Sequence, residues 1–240
     1  MTAIAVSLAT FVMTLLGGMF ALRFKDRLHL ILGFSAGAML GVAFFDLIPE
    51  AISLAAPMLD ATEILAVVIG GFLAYMVLER AGASRERNGV ASQSAWRRSA
   101  LGAGSLSLHS FLDGFVIGLG FKVSASVGIV VSTAVLVHDF SDGINTVGIV
   151  LGKQGDKRTA LRWLSIDAIA PVLGAASTLL LRFRPEVLGI LLASCGGFFI
   201  YLSASDLLPE SYHDHPTVLT TLMTILGVLA LYIVTKLAAI

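Results

Sequence analysis

Eight stretches of about twenty mostly apolar residues follow one another along this 240-residue chain, near 2–22, 28–49, 62–80, 99–120, 125–151, 160–181, 187–208 and 217–238. A helix advances by only about 1.5 Å per residue, so roughly 20 residues are needed to cross the hydrocarbon core of a bilayer. Inside lipid a backbone must satisfy its own hydrogen bonds, which a helix does within one segment. The pattern predicts an all-α integral membrane protein with eight transmembrane helices and a single domain, 1–240. Charged residues make up only 13% of the chain, against about 25% in a soluble domain. The mean hydropathy is +0.91. So little polar material cannot cover a globular surface, and the lipid bilayer is the expected surrounding. Sixteen basic and sixteen acidic side chains cancel, which leaves no electrostatic case for a nucleic-acid partner. The single Cys195 excludes a disulfide framework and a CxxC zinc site. Residues 2–22 carry no basic leader and are longer than a signal-peptide core, so they are expected to be the first membrane helix.

Local signals mark several segment ends. Asp60 with Glu63 forms a capping-box pattern before the third segment. Pro185 and Pro216 stand where a first helical turn tolerates proline. The polar, Arg-rich stretch 81–98 reads as a loop. Alternate connections and their flanks hold Arg23, Lys25, Arg27, Arg80, Arg85, Arg87, Arg97, Arg98, Lys153, Lys157, Arg158 and Arg162, which are twelve of the sixteen basic residues. The positive-inside rule then places both termini outside and 81–98 in the cytoplasm of a cell, as in a prokaryotic inner membrane.

The chain also echoes itself. "GFSAGAMLGVAFFDLIPE" (33–50) ends the second segment and "GGFFIYLSASDLLPE" (196–210) ends the seventh, with a shared D-L-[IL]-P-E. Segments two and seven run in opposite directions, so the echo fits an inverted-topology repeat, a common transporter architecture. The plainer alternative is that Pro-Glu twice terminates a helix.

The fourth and fifth segments should be plain spans, yet "HSFLDG" and "HDFSDG" place His109, Asp113, His138, Asp139 and Asp142 well inside them. Residues i and i+4 share a helix face, so His109 pairs with Asp113 and His138 with Asp142. One Asp at the centre of a membrane helix costs about 2.5–3.5 kcal/mol on insertion scales. Three such carboxylates and two imidazoles must converge on something that offsets the cost. A divalent cation does so directly, and this nitrogen and oxygen donor set suits a first-row metal. A structural hydrogen bond or a proton relay is the alternative for any one of these residues. Glycines 114, 118, 143 and 148 let the two helices approach. Enzyme readings fare worse. There is no H-E-x-x-H with its Glu base, no G-x-S-x-G and no phosphate-cradling loop. An intramembrane metallohydrolase is the rival from another class, and a proton-coupled carrier of another cation is the rival among carriers.

These stretches resemble the ZIP (Zrt/Irt-like) family of divalent-metal transporters over essentially the whole chain. "HSFLDG" is similar to the family's helix-4 signature, H-N-x-P-[ED]-G, and "HDFSDG" to its helix-5 signature, [HQ]-[ED]-x-P-[ED]-G. The two D-L-[IL]-P-E stretches resemble its helix-2 and helix-7 patterns. The resemblance implies inverted three-helix repeats (1–3 and 6–8) flanking helices 4 and 5, and an elevator-type carrier, often dimeric, that moves metal toward the cytoplasm. It implies a primary metal site at His109, Asp113, His138 and Asp142, lined by Met39. It also implies a secondary site at Ser110 and Asp139, with Asp113 and Asp142 shared, and an entrance residue at Asp46; Asp206 holds the matching place in the seventh segment. No cofactor is expected, since the metal, zinc first and iron, manganese or cadmium after it, is cargo.

The chain departs from the family pattern at named positions. Ser110 replaces the usual Asn, and Leu112 and Ser141 replace the motif prolines. Ala170-Pro171 stands where the sixth helix usually carries Glu-Pro. Asp167, three residues earlier, lies on nearly the same face as the missing Glu and is the candidate substitute; a water-facing polar residue is the alternative. The expectation is an intact primary site and a weak or absent secondary one. In the loop after the seventh segment, His213 and His215 could receive metal at the exit or simply be solvated.

Overall fold

The computed structural model describes residues 2–23, 28–87, 95–152, 156–213 and 218–238. The eight expected segments are eight helical rods. They are α1 (Thr2–Ala21), α2 (Leu28–Val42, continued through Ala43–Leu47 and Ile48–Ala55), α3 (Ala61–Arg87) and α4 (Ala95–Val123). After them come α5 (Ala125–Gly152), α6 (Lys157–Leu179), α7 (Pro185–Leu202, continued through Ser203–Leu207 and Leu208–His213) and α8 (Val218–Ala238). Among the described residues, seven of the eight are long and apolar enough to cross a membrane on composition alone. The exception is α6, which carries Lys157, Arg158, Arg162 and Asp167.

Capping of α3 and α7 follows the sequence signals, while Pro216 lies outside the described residues. Asp60 N–H donates to Glu63 Oε2 and Glu63 N–H to Asp60 Oδ1, both at 2.8 Å, closing the capping box of α3. Pro185 opens α7. The stretch 81–98 is a correction: helix persists to Arg87 and resumes at Ala95, so only 88–94 lies outside the described residues. Ala, Arg and Glu are good helix formers, and a helix need not stop where lipid does.

The Pro-Glu pairs do not end their helices. Each follows a π turn, Ala43–Leu47 in α2 and Ser203–Leu207 in α7, and the helix then continues to Ala55 or His213. The wide turn is closed by Ile48 N–H onto the Ala43 carbonyl and by Leu208 N–H onto the Ser203 carbonyl. Proline has no N–H to give and crowds the preceding turn; an extra residue in that turn makes room for Pro49 and Pro209. The repeat is therefore structural, not two uses of a stop signal.

Packing has the same symmetry. A Cβ on Gly114 would overlap the Pro171 carbonyl and one on Gly174 the Phe111 carbonyl, so α4 and α6 interlock in both directions. Gly17 and Gly143 lock α1 to α5 in the same way, against Phe140 and Thr14. Gly37 and Gly227 lock α2 to α8, and Gly71 and Gly197 lock α3 to α7. Exchanging α4 with α5, α1 with α6, α2 with α7 and α3 with α8 maps each interlock onto another. The result is two groups, α1/α4/α5/α6 and α2/α3/α7/α8. Among the described glycines, none presses its neighbour across the seam between them. The seam holds polar and ring contacts instead: Ser35 Oγ of α2 lies 3.0 Å from Ser141 Oγ of α5, and His109 of α4 packs against Phe198 of α7 and Tyr75 of α3.

Candidate metal centre

Helices α4 and α5 form a hairpin turned at Ser124 alone, whose Oγ accepts the Val127 N–H at 3.1 Å. His109 lies 15 residues before Ser124 and His138 14 after it. At about 1.5 Å per residue the two arms carry the rings to the same depth, roughly 22 Å from the tip. The spacing of 29 between the two motifs is thus the length of one folded hairpin. Asp113 then sits one turn nearer the tip than the rings, and Asp142 one turn farther.

All four side chains are fully buried or nearly so. His109 Nε2 and His138 Nε2 are 2.8 Å apart. His109 Nε2 lies 3.0 Å from Asp113 Oδ2 and 3.5 Å from Asp142 Oδ2, while His138 Nε2 lies 3.1 Å from Asp142 Oδ1. One ligand atom from each of the four falls within 4.8 Å of the others. Both Nδ1 atoms, both Asp113 oxygens and Asp142 Oδ2 lack a hydrogen bond. Two imidazoles can place at most one hydrogen each at Nε2, and carboxylates supply none. Lone pairs outnumber hydrogens at the point where the four side chains meet, and the four are buried from bulk solvent, so the centre is short of positive charge. A tetrahedral Zn2+ with bonds of about 2.0–2.2 Å spaces its ligand atoms roughly 3.3 Å apart, and the observed separations bracket that figure. Two imidazoles and two carboxylates make a complete four-coordinate set.

Of the other residues singled out in the sequence, Ser110, Asp139 and Asp167 are buried beside the centre but outside the four-residue cluster. Asp167 Oδ1 accepts from Ser110 Oγ and Asp167 Oδ2 from Thr146 Oγ1, both at 2.8 Å. Neither Asp139 oxygen has a hydrogen-bond partner; Thr10 of α1 stands beside it, with its hydroxyl directed to the Ser7 carbonyl at 2.9 Å. Met39 is completely buried in the main apolar core, one helical turn beyond Ser35 on the face that meets α5. Asp46 is buried within the first π turn, with Oδ2 unpartnered. Asp206 belongs to the second π turn by its backbone; its side chain, that of His213 and the whole of His215 lie outside the described residues.

Sequence reasoning missed Thr146, Thr10 and the rings of Tyr75 and Phe198. Thr146 could have been found, because it continues the spacing of four from His138 through Asp142. The rings could not: Phe198 comes within 5.0 Å of the His109 ring from a helix 89 positions along the chain.

Residues 81–235 match the family described as ZIP Zinc transporter. The chain is 28% identical over 218 residues to the zinc transporter ZupT of Shigella dysenteriae, covering 87% of this chain and 84% of that one. It is 27% identical over the same length to the zinc transporter ZupT of Escherichia coli. A 106-residue stretch is 32% identical to the metal cation symporter ZIP8 of Rattus norvegicus, 43% of this chain and 22% of that one. The match covers more than half of the sequence and includes both His-Asp helices, and the chain belongs to the ZIP zinc transporter family.

Proposed function

We propose that this transporter, which is no enzyme, carries Zn2+ across the inner membrane of a prokaryotic cell toward the cytoplasm. The ion is held at His109, Asp113, His138 and Asp142. The observation that carries this reading is the convergence of two Nε2 atoms and two carboxylates on one buried point midway along the α4–α5 hairpin. The ion exchanges its water shell for that donor set, and the centre regains water and releases it when the hairpin is exposed to the other side. The seam supports a rigid-body route for that exposure. α4 and α5 travel with α1 and α6, to which glycine interlocks tie them, while α2, α3, α7 and α8 stay as the frame. The distribution of Lys and Arg supports external termini. Zinc is favoured by the four-coordinate nitrogen and oxygen set and by the names of the bacterial relatives.

Uptake of Zn2+ into proteoliposomes tests the reading. His109→Ala and Asp142→Ala should reduce uptake to the level of protein-free vesicles, with both variants eluting as the wild type does in detergent. Uptake that survives both substitutions would overturn the assignment. Iron, manganese and cadmium in competition rank the cargo.

A further inference from the structure

We infer that Asp167 is a positioning residue and not a metal ligand: a carboxylate that ties the two metal-bearing helices together. The inference rests on the metal centre proposed above and assigns what stands beside it. Asp167 is fully buried on α6. Its two oxygens are committed to hydroxyls on two different helices, Ser110 of α4 and Thr146 of α5, each at 2.8 Å. Ser110 is the immediate neighbour of His109. Thr146 is one turn beyond Asp142, which is one turn beyond His138. A single carboxylate therefore spans from the residue beside one ligand pair to the residue next in line with the other, and fixes the separation of the two helices at the level of the site.

The tie is rigid on its own helix as well. Asp167 lies one turn before Pro171, whose carbonyl is pressed against Gly114, the residue after Asp113. Were Asp167 to turn Oδ2 toward an ion, the buried Thr146 hydroxyl would lose the acceptor it has here, at a cost of about 1–3 kcal/mol. Ser110 Oγ has a second acceptor, the Leu106 carbonyl at 3.1 Å, but its contact with Asp167 is the shorter one. The internal repeat sharpens the contrast. A shift of 29 residues relates Ser110 to Asp139, and a shift of 157 relates Thr10 to Asp167, as it relates Gly17 to Gly174. The Ser110–Asp167 pair across α4 and α6 thus has Asp139 and Thr10 as its counterpart across α5 and α1. Hydroxyl and carboxylate have changed places: Ser110 gives its hydrogen to Asp167 at 2.8 Å, whereas the Thr10 hydroxyl is directed to the Ser7 carbonyl at 2.9 Å.

The test measures Zn2+ bound per chain, by equilibrium dialysis of the full-length protein in detergent, together with KM for Zn2+ uptake. Asp167→Asn keeps one acceptor oxygen and adds an amide donor that a hydroxyl oxygen can accept, so the tie survives without the charge. Asp167→Ala removes it. The same number of Zn2+ per chain is expected for wild type and for Asp167→Asn, with similar KM. Asp167→Ala should bind as many Zn2+ as the wild type, with affinity lowered roughly 10–100-fold, the usual loss when a group that orients metal ligands is removed. Ser110→Ala combined with Thr146→Val should reproduce that loss while leaving Asp167 in place. A second Zn2+ in the wild type that disappears in both Asp167 variants would make Asp167 a ligand and overturn the inference. Unchanged affinity in Asp167→Ala would overturn it too. Zn2+ retained by His109→Ala would instead bring down the centre itself, which separates failure of the underlying reading from failure of the tie.

Discussion

At the level of single residues, the centre is defined by what its atoms lack. Four side chains turn lone pairs toward one point and bring too few hydrogens to pair them. Met39 has no such shortage, because it sits in the apolar core with neighbours on every side. We therefore expect Met39→Leu, which conserves volume and removes the sulfur, to cost less than about 1.5 kcal/mol of stability and to leave Zn2+ stoichiometry and uptake unchanged; thermal unfolding with the dialysis assay checks both. Loss of the ion in that variant would make the thioether a ligand. The pairing of His109 with Asp113 and of His138 with Asp142 was legible in the sequence, because a spacing of four on a helix is a statement about distance. The engagement of Asp167 was not. It depends on how far α6 stands from α4 and α5, and no local pattern encodes that separation. Reading Asp167 as a substitute ligand placed it on the right face of the right helix but left its hydroxyl partners unseen.

At the level of helices, the glycines divide by what stands opposite them. Gly114 and Gly143 each meet a carbonyl of the next helix, whereas Gly70 on the exposed face of α3 meets nothing within 4 Å. Gly114→Ala should push α4 from α6 and destabilise the protein by about 1–3 kcal/mol, as overpacking does. Gly70→Ala should leave the melting temperature unchanged or raise it, since alanine is the better helix former by about 1 kcal/mol in a helix interior. A detergent-based thermal shift assay compares the two, and equal losses would refute the packing account. The number and order of the helices could be read from apolar length. Their ends could not, because lipid thickness limits the apolar run and not the helix, and so α3 and α4 continue into 81–98. The π turns were visible only as a repeated D-L-[IL]-P-E; the sequence marks the proline, while the extra residue that accommodates it is a property of the backbone.

At the level of the whole molecule, the two four-helix groups meet along a seam free of glycine interlocks among the described residues. Ser35 and Ser141 face each other across it. Ser35→Cys with Ser141→Cys, in a Cys195→Ser background, should form a disulfide on oxidation, since the two Oγ atoms are 3.0 Å apart and a small shift brings sulfurs to bonding distance. Oxidation should stop uptake and leave Zn2+ binding intact, and a reductant should restore transport. Full uptake with the bridge closed would show that the groups do not move against each other. The division into two groups was hidden in the sequence, because partners lie far apart along the chain: α1 packs on α5, and α4 on α6.

That exchange of partners bears on how the chain is made. A ribosome delivers α1 to α4 first, and at that stage α4 has neither α5 nor α6 beside it. Its Asp113 must wait in the translocon or the bilayer, at a cost of about 2.5–3.5 kcal/mol on insertion scales, until α5 follows through the single residue Ser124. The shortest possible link between the two arms is then a matter of timing as much as of shape. It brings His138 and Asp142 to His109 and Asp113 within one further helix of synthesis, so the polar centre is assembled during insertion, before α6, α7 and α8 exist.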